Sequence, residues 1–222
     1  MAWKSKLEKK IKAYLKGYSA CHDFYHLERV HNYSLKIAKK LPKNIKYDTN
    51  VLWAASFLHD IGYKNNEDDH KNHPVYGVKI AKNWLEEIDF PKEKTSDVLE
   101  VIRLHDNFHW EKNGEKTNHI ETQIVQDSDR IDAIGAVGVA RLAYFFGEKG
   151  RPIYNSNTMH KKDGKYFHYN LLGGLEREMK KWDNMNFSIS KKMSKKNYVI
   201  MKNFYQDLKK ELRQHHKLSE GK

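Results

Sequence analysis

Cysteine, proline and long apolar runs are nearly missing from this chain. One cysteine, Cys21, among 222 residues excludes an intramolecular disulfide and gives no sign of an oxidising compartment. No apolar stretch approaches the ~20 residues of a membrane-spanning helix. The lysine-rich N-terminal segment lacks the apolar core of a secretory signal, so the cytoplasm is the expected compartment. Four prolines leave room for long uninterrupted helices. Acidic residues are the minority charge, 29 against 41 lysines and arginines, for a formal net charge of +12. Such an excess creates a positive field that attracts polyanions, although lysine-rich helix faces also serve simply to solvate a surface.

What is present repeats at helical spacing. Trp3, Leu7, Ile11, Tyr14, Leu15 and Tyr18 form one stripe, and Leu27, Val30, Ser34, Ile37, Ala38 and Leu41 form another. Asp48-Thr49 supplies a cap signal for the apolar run Val51, Leu52, Ala54, Ala55, Phe57, Leu58 and Ile61, with Gly62 closing it. His73-Pro74 opens a further helix, and Thr95 or Ser96 caps the next. The stretch from Ile120 to Phe146 reads as one long helix. Leu171, Leu175, Met179 and Trp182 mark a later helix, and residues 190 to 213 form a basic C-terminal one. No strand alternation, repeat or linker is evident, so the expected fold is all-α, a single compact domain over residues 1–222. This length can bury a sizeable core. The segment Gly147 to Asn170 is too long for a plain connection and has the character of a lid or binding loop.

Four side chains on these helices share a chemistry. His26 lies on the stripe of Val30 and Ile37, and His59 and Asp60 fall in the last turn of the helix after Asp48. Asp129 follows Val125 by one turn. A carboxylate on an apolar stripe is costly unless it is paired or bound to a metal. Each residue alone reads equally as a hydrogen-bonded core histidine or part of an ion-pair network around Arg130 and Asp132. Cys21 beside His22-Asp23 could be a thiol nucleophile, but sequence neighbours are seldom aligned as nucleophile and base.

The ordered combination, histidine, then His-Asp, then aspartate, resembles the HD-domain superfamily of metal-dependent phosphohydrolases. The strings CHDFYHLERV, FLHDIGY, IVQDSDRIDAIGAVGVAR and GRPIY look like the small HD hydrolases that act on nucleotides, from about Cys21 to the C-terminal helix. The resemblance implies a helical HD domain with its metal site between central helices. The implied metal ligands are His26, His59, Asp60 and Asp129, the last being the second aspartate of the pair Asp127-Ser128-Asp129. Histidines matching His73 and His105 bind a second ion in some relatives, so a second ion is implied as possible there. Either His73 or His105 is also a candidate general acid or phosphate-binding imidazolium. Where relatives often have a serine after this histidine, the chain has Asp106. In some other HD phosphatases, which act on monophosphates, an acid follows shortly after the doublet. Here Gly62, Tyr63 and Lys64 follow, and acids come only at Glu67, Asp68 and Asp69.

A divalent ion in such a site lowers the pKa of a coordinated water and draws in phosphoryl oxygens. Imidazole and carboxylate without thiolate suit Mn²⁺, Mg²⁺, Fe²⁺, Ni²⁺ or Zn²⁺, with a lean toward manganese. Asp60, His105 and Arg29 are the expected catalytic residues. Arg29, Lys64, Arg130 and Arg151 are the expected phosphate contacts, with Tyr154 stacking on a base. The expected activity is hydrolysis of (deoxy)nucleoside triphosphates to monophosphate and pyrophosphate. Monophosphate or cyclic-diester hydrolysis is the alternative, as are a nucleotide sensor without turnover and a nucleic-acid binder using the basic C-terminal helix and abundant aromatics.

Overall fold

The computed structural model describes residues 2–65, 72–107, 114, 116–154 and 170–219. The acids Glu67, Asp68 and Asp69, and residues 155–169 of the expected loop, lie outside the described residues. Among the described residues there are nine α-helices and no strand, as the periodicity predicts, and no helix is long and apolar enough to cross a membrane. The chain divides into two compact units, residues 1–129 with 186–190, and residues 130–185 with 191–222.

In the first unit, α1 (Ala2–Tyr14) buries Trp3, Leu7 and Ile11 at the spacing that puts them on one face. Trp3 meets Trp53 and Phe90 edge-on, at ring separations of 5.3 and 4.8 Å. Tyr18 lies beyond the helix end. α2 (Phe24–Ala38) starts at Asp23, whose carboxylate accepts from the His26 amide at 2.8 Å. α3 (Thr49–Leu58) starts at Asp48, which accepts from the amides of Asn50 and Val51. These caps satisfy amides that have no partner inside the helix. α4 (His73–Glu87) has proline in its first turn. α5 (Thr95–Leu104) follows a single 3-10 turn, Lys92–Lys94, so Thr95 is the first helical residue and Lys94 occupies the cap position. α2 packs on α3, and α3 and α4 pack on α5.

The helix holding the His-Asp doublet ends earlier than its hydrophobic pattern suggests. α3 stops at Leu58, His59 is its C-cap, and Ile61–Asn65 turn as a 3-10 helix. Gly62 therefore does not close the α-helix. Its role is close approach, because a Cβ there would lie 2.0 Å from the His73 carbonyl oxygen and 2.5 Å from the Gly77 nitrogen. The turn is pressed against the start of α4.

α6 (Ile120–Asp132) belongs to the first unit through Asp129. The expected long helix is broken here: Ile134 is extended, Gly135 sits in the left-handed region at φ +79°, and α7 (Gly135–Glu148) begins anew. Within the second unit, α7 packs on α8 (Leu171–Asp183). Gly138 and Gly135 allow close approach to Met201 and Asn197 of α9 (Ser188–Ser219). The Trp182 indole stacks on Tyr198 at 3.9 Å and donates to Ser194 Oγ at 2.8 Å.

Gly62→Ala should destabilise the protein by about 1–3 kcal/mol or more, the cost of overpacking a tight contact. Urea unfolding checks it, and an unchanged midpoint would contradict the close approach.

Candidate metal centre

Four histidines of the first unit converge on Asp60. Its Oδ2 lies 3.1 Å from His26 Nε2 and 3.4 Å from His59 Nε2, while Oδ1 lies 3.1 Å from His105 Nε2 and 3.6 Å from His73 Nε2. One carboxylate thus faces two sets of imidazoles, one through each oxygen. Asp129 Oδ1 stands 3.6 Å from His26 Nε2. Donor atoms of His26, His59 and Asp129 lie within 4.8 Å of one another, and so do those of Asp60, His73 and His105. The four histidines and Asp60 are buried, and Asp129 is partly exposed.

Local structure explains how the rings are aimed. His59 and His105 cap the C-termini of α3 and α5, where the last carbonyls have no helical partner. Each ring uses such a carbonyl three residues back. His59 Nδ1 donates to Ser56 at 2.9 Å, and His105 Nδ1 to Ile102 at 2.7 Å. With Nδ1 held this way, Nε2 is the atom turned to the cluster, the arrangement usual for metal-binding imidazoles. The neighbouring aspartate, Asp127, does different work. It is fully buried and accepts from the amides of Asn186 and Phe187 at 2.8 and 2.9 Å. Asp127 thereby ties residues 186–190 to α6, and Asp129 is left as the member of the pair that reaches the histidines.

The donor set fits a divalent cation. His59 Nε2 is buried without a hydrogen-bond partner. His73 Nε2 and His105 Nε2 are 2.9 Å apart, a spacing at which two lone pairs need a proton or a cation between them. Electrostatics agrees. Burial opposes charge on His59, but the carboxylates of Asp60 and Asp129 outweigh it and raise its pKa from 6.5 to about 9. Burial likewise opposes ionisation of Asp60, yet the His59 charge and the His105 and His26 hydrogen bonds hold it well below the usual carboxylate range. His31, away from the cluster against Ser56 Oγ, is pushed down to about 4 by burial and by Lys4.

The expected phosphate contacts belong to both units. Arg29 is half-buried on α2, one turn after His26. Lys64 donates to the Tyr14 carbonyl and lies 4.9 Å over the Tyr14 ring, which anchors it to the end of α1. Arg130, Arg151 and Tyr154 belong to the second unit. Arg130 is buried and donates to the Asn184 carbonyl at 3.1 Å, and the Arg151 guanidinium lies 5.8 Å over the Phe146 ring. Cys21 is buried, and the adjacent His22 ring stacks on Tyr63. Sequence reasoning missed that stack and the two orienting carbonyls. A histidine directly after an apolar helical run was the available signal for the latter.

The sequence pattern of the HD domain matches residues 23–134. YpgQ of Bacillus subtilis, an uncharacterized protein, is 26% identical over 204 residues, which cover 91% of this chain and 90% of YpgQ. The crystal structure of YpgQ in complex with ADP superposes with a TM-score of 0.67 at 23% identity, covering 94% of this chain and 97% of that one. An HD-superfamily hydrolase from Bacillus thuringiensis is similar at 27% identity and a TM-score of 0.64, over 95% of this chain and 96% of the other. A protein from Lactobacillus plantarum reaches a TM-score of 0.75 at 24% identity, over 95% and 97% of the two chains.

Because His59 is raised above its unfolded value, it stabilises the fold fully below about pH 6.5, and that contribution fades as pH rises through about 9. Asp60 acts oppositely, losing its contribution as pH falls below the ordinary carboxylate range. Thermal unfolding of chelator-treated protein should therefore show a fall in Tm between pH 6.5 and 9 that His59→Gln abolishes. A flat profile in the unsubstituted protein would refute this.

Proposed function

The chain belongs to the HD-domain family, and on that footing we propose that it is a metal-dependent nucleotide phosphohydrolase that cleaves (deoxy)nucleoside triphosphates to monophosphate and pyrophosphate. HD domains bind divalent metals. The observation that carries the reading is the position of Asp60, with one oxygen toward His26 and His59 and the other toward His73 and His105. His26, His59, Asp60 and Asp129 would hold one ion, and His73 and His105 a second that shares Asp60.

An ion held there supplies positive charge for phosphoryl oxygens and a lowered pKa for water. The chain's own residues do the rest. His59 and His105, pinned through Nδ1, keep Nε2 directed at the cluster and cannot swing toward substrate. Asp60 neutralises cationic charge on both sides. Asp129, the partly exposed donor, borders the approach from solvent. Arg29, one turn from His26, is placed to take a phosphate oxygen, and guanidinium is well matched to that geometry.

A nucleotide is supported by the ADP found with YpgQ, a relative of this chain. Cleavage to pyrophosphate rests on the likeness to small HD hydrolases and on Gly62, Tyr63 and Lys64 standing shortly after the doublet, where some HD phosphatases of monophosphates place an acid.

Turnover of a panel of ribo- and deoxynucleotides with Mn²⁺, Mg²⁺, Ni²⁺ or Zn²⁺ tests it. Wild type should release monophosphate and pyrophosphate, and Asp60→Ala should lose about 10²–10³-fold or more in kcat, the scale for removing a group that stabilises developing charge. Inorganic phosphate from a monophosphate, with no pyrophosphate from triphosphates, would overturn the triphosphate assignment. Arg29→Ala should weaken kcat/KM with a smaller effect on metal binding.

A further inference from the structure

We propose that Tyr63 is a positioning residue: held between His22 and His73, its ring sets the plane of the His73 imidazole and thereby the metal affinity of the Asp60, His73, His105 cluster. The inference rests on the metal reading above and concerns one part of it. Tyr63 packs on His22 at 4.0 Å and on His73 at 3.8 Å, with interplanar angles of 16° in both cases. Two rings that close and that parallel to a third must occupy its opposite faces. The result is a three-layer stack from three segments: the turn before α2, the 3-10 turn after Asp60, and the first residue of α4.

His59 and His105 sit at helix C-termini, where a carbonyl three residues back orients the ring. His73 is the first residue of α4. There its ring lies against Tyr63 at 3.8 Å, nearly parallel, and the stack fixes the plane of the imidazole. Gly62 makes it geometrically possible, since only a residue without Cβ lets the 3-10 turn approach the His73 and Gly77 backbone closely enough to lay the Tyr63 ring over His73. So placed, His73 Nε2 lies 2.9 Å from His105 Nε2 and 3.6 Å from Asp60 Oδ1. An imidazole bound to a cation is electron-poor, and the electron-rich face of a phenol ring favours it over the unbound ring. His22 braces the outer face and also meets the ring of His26 edge-on at 6.1 Å.

Mn²⁺ binding, followed by the electron paramagnetic resonance of free Mn²⁺, tests the assignment on wild type, Tyr63→Leu, Tyr63→Phe and His22→Ala. Wild type should show two classes of site. Tyr63→Leu should weaken one class by about tenfold or more, the usual effect of removing a partner behind a metal ligand, and leave the other unchanged. Tyr63→Phe, which keeps the ring, should bind as wild type does. Equal affinities in wild type and Tyr63→Leu, equal weakening of both classes, a Tyr63→Phe protein as weak as Tyr63→Leu, or a single class in wild type would each overturn the role of Tyr63. If Tyr63→Leu does not fold, judged by circular dichroism, His22→Ala decides: selective weakening supports the stack, and wild-type binding overturns it. Wild type that binds no Mn²⁺ removes the metal reading itself, whereas Mn²⁺ binding indifferent to Tyr63 removes only this inference.

Discussion

One buried carboxylate organises the first unit of this protein. Asp60 is nearly inaccessible to solvent and lies within 3.6 Å of four imidazoles that come from α2, the end of α3, the start of α4 and the end of α5. An ionised group in such a place is tolerated only with compensating charge and hydrogen bonds. The helices that bring those histidines must therefore meet at one point. Buried His59 Nε2 and the close His73–His105 pair are the counterpart of the same constraint, since they are donor atoms gathered more tightly than neutral rings prefer.

The histidines are mounted on helix ends, and this is where the geometry gains precision. A helix terminus exposes backbone groups that its own ladder does not use. α3 and α5 spend a C-terminal carbonyl each on the ring of their capping histidine, and α2 spends the His26 amide on Asp23. The orienting groups are thus main-chain atoms, invisible to any search for conspicuous side chains. The same economy explains the aspartate pair on α6. Asp127 is consumed by the amides of Asn186 and Phe187, and Asp129, two residues on and turned to the other side, remains for the histidines.

Basic charge is distributed differently from what its abundance suggests. Lys64 is anchored by the end of α1, and Arg130 is buried against the Asn184 carbonyl. The aromatic residues offered for nucleic-acid stacking include several that are committed to internal contacts: Trp3 with Trp53 and Phe90, Tyr14 with Trp84, and Trp182 with Tyr198. Net charge and aromatic content describe a composition, and only packing assigns each side chain its task.

By itself the sequence determined the all-α class, the faces of α1 and α2, the cap at Asp48, and the residue types of the candidate metal centre. All of these follow from local spacing and side-chain chemistry, which act within a few residues along the chain. Tertiary structure alone decided where α3 ends, why Gly62 is glycine, where the expected long helix breaks into α6 and α7, and what Asp127 does while Asp129 meets the histidines. It also created the stack of His22, Tyr63 and His73. Each of these depends on a backbone or a ring from a distant segment approaching within van der Waals or hydrogen-bond distance, and periodicity carries no information about which segments will be neighbours.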